Sequence, residues 1–125
     1  MPLPVDRPFY DVPAYAASAS IGASPVAAVA VAPVAGYIQR VVAAPGGTTT
    51  GTITVAVGVN GGADIAAGAL QLAPGAGSRN GAVTEIPLVG NSSVYVSEGD
   101  LITFTPSGGG GANIPGAFLA VIRAI

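Results

Sequence analysis

The sequence predicts an all-β fold, an antiparallel β-sandwich of about eight strands. From residue 25 onward, short apolar or alternating runs are separated by Gly, Pro, Asn and Thr clusters about every ten residues, the spacing typical of antiparallel sandwiches and barrels. The 125 residues include 19 Gly and 11 Pro, which break helices and favour turns. A chain of this length makes one modest domain with its own core.

The first 24 residues differ from the rest and are predicted to form an extended, Pro-rich N-terminal arm. Prolines at positions 2, 4, 8 and 13 prevent a helix and favour extended backbone. Phe9, Tyr10 and Tyr15 also lie here, and large apolar anchors are typical of arms that dock on a partner rather than of disordered tails. The chain therefore divides into an arm, residues 1–24, and a sandwich domain, residues 25–125; a disordered terminus is the alternative.

Eight candidate strands follow the arm. The clearest spans 51–59, where Ile53, Val55 and Val57 alternate with smaller residues, so the large side chains share one face, which is predicted to be core. Later core positions are predicted at Val94, Val96, Leu101, Ile102, Phe104, Phe118, Leu119, Val121 and Ile122. The eight strands are 26–32, 36–43, 51–59, 64–72, 82–88, 93–96, 101–105 and 117–125.

Two tight turns are predicted between these strands. Asn60 and Gly61 follow an alternating run and accept positive φ, which makes them a strong turn signal. A second turn is predicted at Ser97 to Asp100. The only helical competitor is 64–72, where Asp64 could cap one or two Ala-rich turns before Gly68 interrupts them.

Charge is unusually sparse, at 8% of residues against about 25% in an ordinary globular domain. The chain has no Lys, and its ten charged residues would share a surface of about 6,000 Å² in a folded monomer. Because solubility normally rests on interspersed charge, the sequence predicts that other subunits cover much of this surface. A homotrimer is expected, with a homodimer as the alternative, and closed symmetry is the usual outcome for such contacts.

The same charges exclude two classes of partner. A net charge of −2 argues against nucleic acid, which requires clustered basic residues. The uncharged stretch from Val12 to Gln39 could span a bilayer by length, but three prolines and a mostly Ala composition argue against a membrane helix. The first eleven residues lack the basic region of a secretory signal. The protein is therefore expected to act where it is made.

No catalytic, cofactor or metal site is predicted, and the protein is not expected to be an enzyme. The chain contains no His, Cys or Lys, the commonest general base and nucleophiles. The glycine run 108–111 lacks the Lys of a phosphate-binding loop. Glu98 and Asp100, with Asp64 as the next donor, fall short of the six to eight oxygens that calcium takes. Glu85 and Asp100 could formally flank a sugar, but the domain has no Trp platform.

Two arginines are candidate contact residues beside the three aromatic residues of the arm. Arg79 lies in a Gly- and Ser-rich loop, where it is either solvated or paired with a carboxylate of a neighbouring subunit. Arg123 lies in the apolar final strand, so it either guards a sheet edge or pairs with an acid at an interface. The predicted contact residues are Phe9, Tyr10, Tyr15, Arg79 and Arg123.

Three runs in about the last eighty residues carry a family resemblance. They are Thr52-Ile53-Thr54-Val55 leading to Val59-Asn60-Gly61-Gly62, then Val94-Tyr95-Val96-Ser97-Glu98-Gly99-Asp100-Leu101-Ile102-Thr103-Phe104, and the closing Phe118-Leu119-Ala120-Val121-Ile122. A strand ending in Asn-Gly, a Gly-Asp turn entering an edge strand and a terminal apolar strand resemble those of the head decoration, or cement, proteins of tailed bacteriophages, which have jelly-roll folds.

The resemblance implies a jelly-roll sandwich and a structural role in a virion. Such a protein binds the outer surface of a phage capsid and stabilises it by bridging neighbouring major capsid protein subunits, after synthesis in the host cytoplasm. The alternative is a receptor-binding or structural head domain of a phage fibre or spike, which has the same architecture. The loops of this chain hold almost only Gly, Ala, Ser and Asn, which disfavours a receptor-binding head.

Overall fold

The computed structural model describes residues 10–74, 82–85 and 94–125, which form nine strands and no helix. This part of the chain therefore contains no helix with the length and apolarity needed to cross a bilayer. The strands are β1 (Asp11–Ser18), β2 (Ala28–Val31), β3 (Gly36–Pro45), β4 (Ile53–Val59), β5 (Gln71–Leu72), β6 (Ala82–Glu85), β7 (Tyr95–Val96), β8 (Leu101–Ser107) and β9 (Gly116–Ala124).

The strands form two antiparallel sheets, which confirms the predicted all-β fold. Sheet A has the order β1-β9-β3-β6, with β7 also paired to β3, and sheet B has the order β2-β8-β4-β5. The pairing is nested: the first strand pairs with the last, the second with the eighth, and the fourth with the fifth. Sheet A and sheet B therefore each combine early and late strands of the chain.

The core lies between the two sheets and is built from alternate residues of each strand. Ile53, Val55 and Val57 are fully buried, as predicted. Phe104 of sheet B stacks on Phe118 of sheet A, with ring centroids 5.1 Å apart and nearly parallel planes. This stacked pair joins the two sheets across the interior.

Three predicted core residues do not face the core. Leu101 is 46% exposed, and Leu119 is only partly buried on the outer side of β9. Val121 is buried, but outside the core cluster. Successive side chains of a strand point to opposite faces. Ile102, Phe118 and Ile122 face inward. The residues next to them, Leu101, Leu119 and Val121, therefore face outward.

The N-terminal segment differs from the predicted arm. Residues 11–18 form β1, which pairs along its whole length with β9, from Asp11 opposite Arg123 to Ser18 opposite Gly116. Ile21 is fully buried in the core. Proline does not prevent this strand because β1 lies at the edge of sheet A, where a missing N–H donor is tolerated. The sandwich therefore includes residues 11–24, whereas residues 1–9 lie outside the described residues.

Hydrogen bonds hold the segment after β1 against the loop before β9. Asn113 Oδ1 accepts hydrogen bonds from Ser20 Oγ and from Ser24 N, both at 2.9 Å. The Ile21 N–H donates to the Ile114 carbonyl at 2.8 Å. Ser18 is buried, and its hydroxyl lies 2.6 Å from the Val26 carbonyl oxygen. These bonds fix residues 18–26 as a corner between the two sheets.

Small residues allow the sheets to approach at this corner. Four inward side chains of β1 and β2 are alanines, at positions 14, 16, 28 and 30, and all four are buried. The two strands belong to different sheets but pack against each other. The Ala-rich stretch therefore closes one side of the sandwich, where larger side chains would hold the sheets apart.

The predicted Asn60-Gly61 turn is confirmed, but the strand expected after it is mostly a turn. Asn60 and Gly61 have φ of 51° and 79°, and the Gly62 N–H donates to the Val59 carbonyl at 2.9 Å. The carboxylate of Asp64 accepts N–H groups of Val57, Ala66 and Gly68 at 2.9–3.0 Å. Asp64 therefore organises a capped turn, and within residues 64–72 only β5 forms a strand that pairs with β4.

The second predicted turn is also confirmed, and it lowers the pKa of an acid. Asp100 Oδ2 accepts the Ser97 N–H at 2.8 Å, while Gly99 takes a φ of 92°. Donation from the Ser97 N–H, and next from the Asn60 side chain, holds the pKa of Asp100 below its ordinary value of 3.8. The ionised carboxylate is the form that this turn stabilises.

We expect Asp100→Ala to lower the free energy of unfolding at neutral pH, and to do so in a pH-dependent way. The contribution of Asp100 is fully present above pH 3.8 and is lost as the pH falls through the lower pKa of the folded state. Denaturant titrations from pH 7 to pH 2 should show the deficit of the variant shrinking. Glu98→Ala is the matched control, since it removes an acid from the same turn and leaves the Asp100 hydrogen bonds in place. A deficit that stays constant down to pH 2 would contradict this role.

Candidate functional site: two apolar surfaces

The outer side of sheet A carries an apolar surface, which we call face A. It consists of side chains from β1, β9 and β3 that point away from the core. The strand register aligns them in rows across the sheet: Tyr15 with Leu119 and Val42, and Ala17 with Ala117 and Ala44. Pro13 and Val121 lie in the next row, which also contains the exposed Arg40 of β3. Face A thus joins three strands that are distant in sequence.

Face A is not flat. Tyr15 projects from it and is 73% exposed, the highest value among the large apolar strand residues whose exposure the structure describes. The neighbouring row contains only alanines, and beyond it lie Pro45 and Pro115. This row of small side chains leaves a hollow of about 360 Å³, which we call the alanine hollow. A smaller depression of about 170 Å³ lies between Tyr15, Leu119 and Val42.

Charge lies at the opposite end of this side of sheet A. Arg123 Nε is 3.2 Å from Asp11 Oδ1 across the β1–β9 pair, and both side chains are about one-third to one-half exposed. Arg40 occupies the row between this ion pair and the Tyr15 row. The alanine end of the sheet is therefore apolar, whereas the other end is polar.

Arg123 does not guard a sheet edge, which was one of the two predictions for it. Its strand, β9, lies between β1 and β3 and has a partner on both sides. Its acidic partner, Asp11, belongs to the same chain. An exposed pair of this kind contributes little to stability, so the pair closes the end of the β1–β9 ladder rather than anchoring the fold.

A second apolar surface lies on the outer side of sheet B, at the edge formed by β2. Val26, Val29, Val31 and Leu101 are 46–58% exposed, and we call this group the valine corner. The register places Val31 opposite Leu101 and Val29 opposite Thr103. The four strands of sheet B contain no charged residue. The outer side of sheet B is therefore neutral, with the valine corner at one edge.

The predicted contact residues are only partly brought together. Tyr10, Tyr15 and Arg123 all lie along the β1–β9 pair, and Tyr10 accepts the Ala124 N–H at 3.0 Å through its carbonyl. Tyr15 and Arg123 share the outer side of sheet A but stand two rows apart. Phe9 and Arg79 lie outside the described residues.

Sequence reasoning missed most of the residues that form the two surfaces. Leu119 was assigned to the core, and Val42, Val29 and Val31 were not singled out. A signal was present in residues 28–31, where Ala and Val alternate: the alanines face the core and the valines face outward. Face A has no comparable signal, since it depends on the register between β1, β9 and β3.

The charged side chains do not converge on a metal site within the described ranges, where no group of three or more potential ligands lies close together. Asp64 and Asp100, two of the acids considered for calcium, accept backbone N–H groups instead. The side chain of Glu85 lies outside the described part. The features that stand out are thus apolar surfaces, which are typical of protein contacts.

Comparison of the chain with known proteins assigns it to no family, because no family model matches it and a search of the curated proteins also finds no match.

Proposed function

We propose that the protein is a structural component of a phage virion that binds the outer surface of the capsid. It stabilises the capsid by bridging neighbouring major capsid protein subunits, and it acts through surface contacts rather than catalysis. The observation that carries the proposal is the pair of apolar surfaces, face A and the valine corner, on the outer sides of the two sheets. A bridging oligomer needs one surface for the capsid and another for its own subunits, and the two apolar surfaces lie on opposite layers of one small domain.

The strand order supports assigning the sandwich to the jelly-roll type. In a jelly roll, a long antiparallel ribbon is wound into two four-stranded layers, so early strands pair with late ones. The nested pairing of β1 with β9, β2 with β8 and β4 with β5 has this form. The jelly-roll assignment in turn agrees with the family resemblance of the second half of the chain.

The low charge supports association with other proteins. The accessible surface of 6118 Å² carries four Arg and six Asp and Glu. Contiguous apolar surface on a soluble protein usually marks an interaction site. We propose that a capsid covers one such surface and further copies of the chain cover another, as a homotrimer or alternatively a homodimer. Neither nucleic acid, membrane nor cofactor has a part in this function.

The proposed contacts with the capsid or with further copies of the chain include the predicted contact residues. Tyr10 and Tyr15 are exposed along β1, and large aromatic side chains are common anchors of protein interfaces. Phe9, Arg79 and Arg123 are the other proposed contacts. Repetition over a capsid lattice strengthens such binding, because contacts of one oligomer with several coat subunits act together.

Mass spectrometry of purified particles tests this function. In a phage that encodes the chain, we expect the protein in intact virions, in many copies, and released by treatments that destabilise the capsid. Fractionation into heads and tails supplies the discriminating measurement. Recovery with the heads would support a decoration protein, whereas recovery only with tails or fibres would favour the fibre or spike head and overturn the proposal.

A further inference from the structure

Face A places a projecting side chain directly beside a recess. Tyr15 and the alanine hollow lie on adjacent rows of the same surface, with Ala17 following Tyr15 by two residues on β1. Adjacent rows of a strand are about 7 Å apart. Within one copy, Tyr15 cannot fill the alanine hollow, because the tyrosine points away from the sheet and the hollow opens in the same direction.

We propose that face A is the interface of a two-fold symmetric dimer in which Tyr15 of each copy enters the alanine hollow of the other. This dimer deepens the self-association proposed above and rests on it. The two-fold axis passes between the Tyr15 row and the Ala17 row. A rotation about that axis exchanges the two rows, so each tyrosine lies over small side chains of the partner.

A second copy of the chain fits this surface better than an unrelated protein because the surface is complementary to itself. In an isologous interface, a residue i of one copy contacts a residue j of the other, and residue j of the first copy contacts residue i of the second. On face A, Tyr15 is one such residue and the alanines at positions 17, 44 and 117 are its counterpart on the other copy. The same argument favours two-fold over three-fold symmetry, since one partner occupies both the knob and the recess.

The distribution of charge agrees with this arrangement. The two-fold axis brings the Tyr15 row of each copy onto the Ala17 row of the other. Arg40 and the Asp11–Arg123 pair lie further from the axis, towards the rim of the interface. No like charges are forced into contact at the centre. Interfaces commonly have such an apolar centre and a polar rim.

The size of face A predicts a modest affinity. Three strands of eight residues cover about 400 Å² in projection, and the accessible area of a corrugated surface is larger than its projection. Standard stable interfaces bury about 800 Å² per partner, so face A falls at the lower end. The two Tyr15 side chains together supply about 300–500 Å² of the surface that the dimer buries. We therefore expect a dimer that dissociates on dilution to low micromolar concentration.

Sedimentation velocity of the full chain over a concentration series tests the dimer. The wild type is expected to shift from monomer to dimer as concentration rises. Tyr15→Arg and Ala117→Glu, placed in the knob and the hollow, should each weaken dimerisation at least about thirtyfold, as loss of a central aromatic anchor does. Val29→Ser is the matched control, since it changes an exposed residue of the valine corner and should leave dimerisation unchanged. Circular dichroism establishes that each variant is folded.

Mixing the two variants gives the decisive result. An equimolar mixture of Tyr15→Arg and Ala117→Glu should restore a dimer, because the guanidinium of one copy meets the carboxylate of the other while the second contact stays as in the wild type. A wild type that stays monomeric at about 100 µM or forms a trimer, or a mixture that stays monomeric, would overturn the dimer. Capsid binding by the monomeric variants is measured separately, so a failed dimer leaves the virion proposal standing.

Discussion

Deletion of residues 1–24 is expected to abolish folding of the domain. The deletion removes β1, and with it one of the two pairing partners of β9, along eight residues. It also removes the fully buried side chain of Ile21, and truncating a single buried Ile to Ala already costs about 2–5 kcal/mol. Because a domain of this size is stable by only about 5–15 kcal/mol, the loss of Ile21 and a whole strand exceeds what it can tolerate. Circular dichroism and the yield of soluble protein measure the result.

The matched control is deletion of residues 1–9, which leaves every described strand and hydrogen bond intact. We expect this shorter chain to fold with the spectrum and thermal midpoint of the full chain. If the chain lacking residues 1–24 folded equally well, then β1 and Ile21 would not be part of the cooperative unit, and the predicted boundary at residue 24 would be restored.

Val55→Asp is expected to prevent accumulation of soluble, folded protein. Val55 is fully buried in β4, between Ile53 and Val57, which are fully buried on the same side of the strand. The buried residues that the structure describes include no charged side chain to pair with a carboxylate there, and burying an unpaired charge costs more than the whole stability of a small domain. Expression followed by separation of soluble and insoluble fractions measures the effect.

Thr54→Asp is the matched control for this substitution. Thr54 precedes Val55 on the same strand but faces the outer side of sheet B and is only partly buried. The same carboxylate there can remain hydrated, so soluble yield should stay close to that of the wild type. Equal yields from both variants would mean that the inward and outward sides of β4 are interchanged.

The fold could be predicted from the sequence wherever local patterns carry the information. Alternation in residues 53–59 identified both a strand and its buried face, and Asn60-Gly61 identified a turn by its tolerance of positive φ. The prediction failed at β1, because four prolines within thirteen residues indicate a segment outside any sheet. Pro13 is nevertheless accommodated, since only the position of β1 at the edge of sheet A makes a missing donor harmless.

Asp64 shows a different limit of sequence reasoning. The run 64–72 is apolar enough for a strand, and its expected competitor was a short helix. The structure has neither over residues 64–68, because the Asp64 carboxylate satisfies three backbone N–H groups that a sheet would otherwise require. The turn at Asp64 depends on the neighbouring strand β4, because the Val57 N–H of that strand is one of the three donors.

The candidate surfaces were the least predictable feature. Tyr15 was expected to be an exposed anchor, and it is exposed. Its neighbours on face A come from positions 42 and 119, and only the register of β1, β9 and β3 places them in one row. The low charge of the sequence predicted that apolar surface would be exposed, but not where it would lie.

Rupture of phage particles on heating, with and without the protein, tests the central claim most directly. Particles made without this gene should lose their DNA at a lower temperature than wild-type particles. Purified protein added to them should bind the outside of the head in a saturable way and restore the wild-type rupture temperature. Particles that lack the gene product yet rupture at the wild-type temperature and bind no added protein would contradict the proposal that this chain stabilises a capsid.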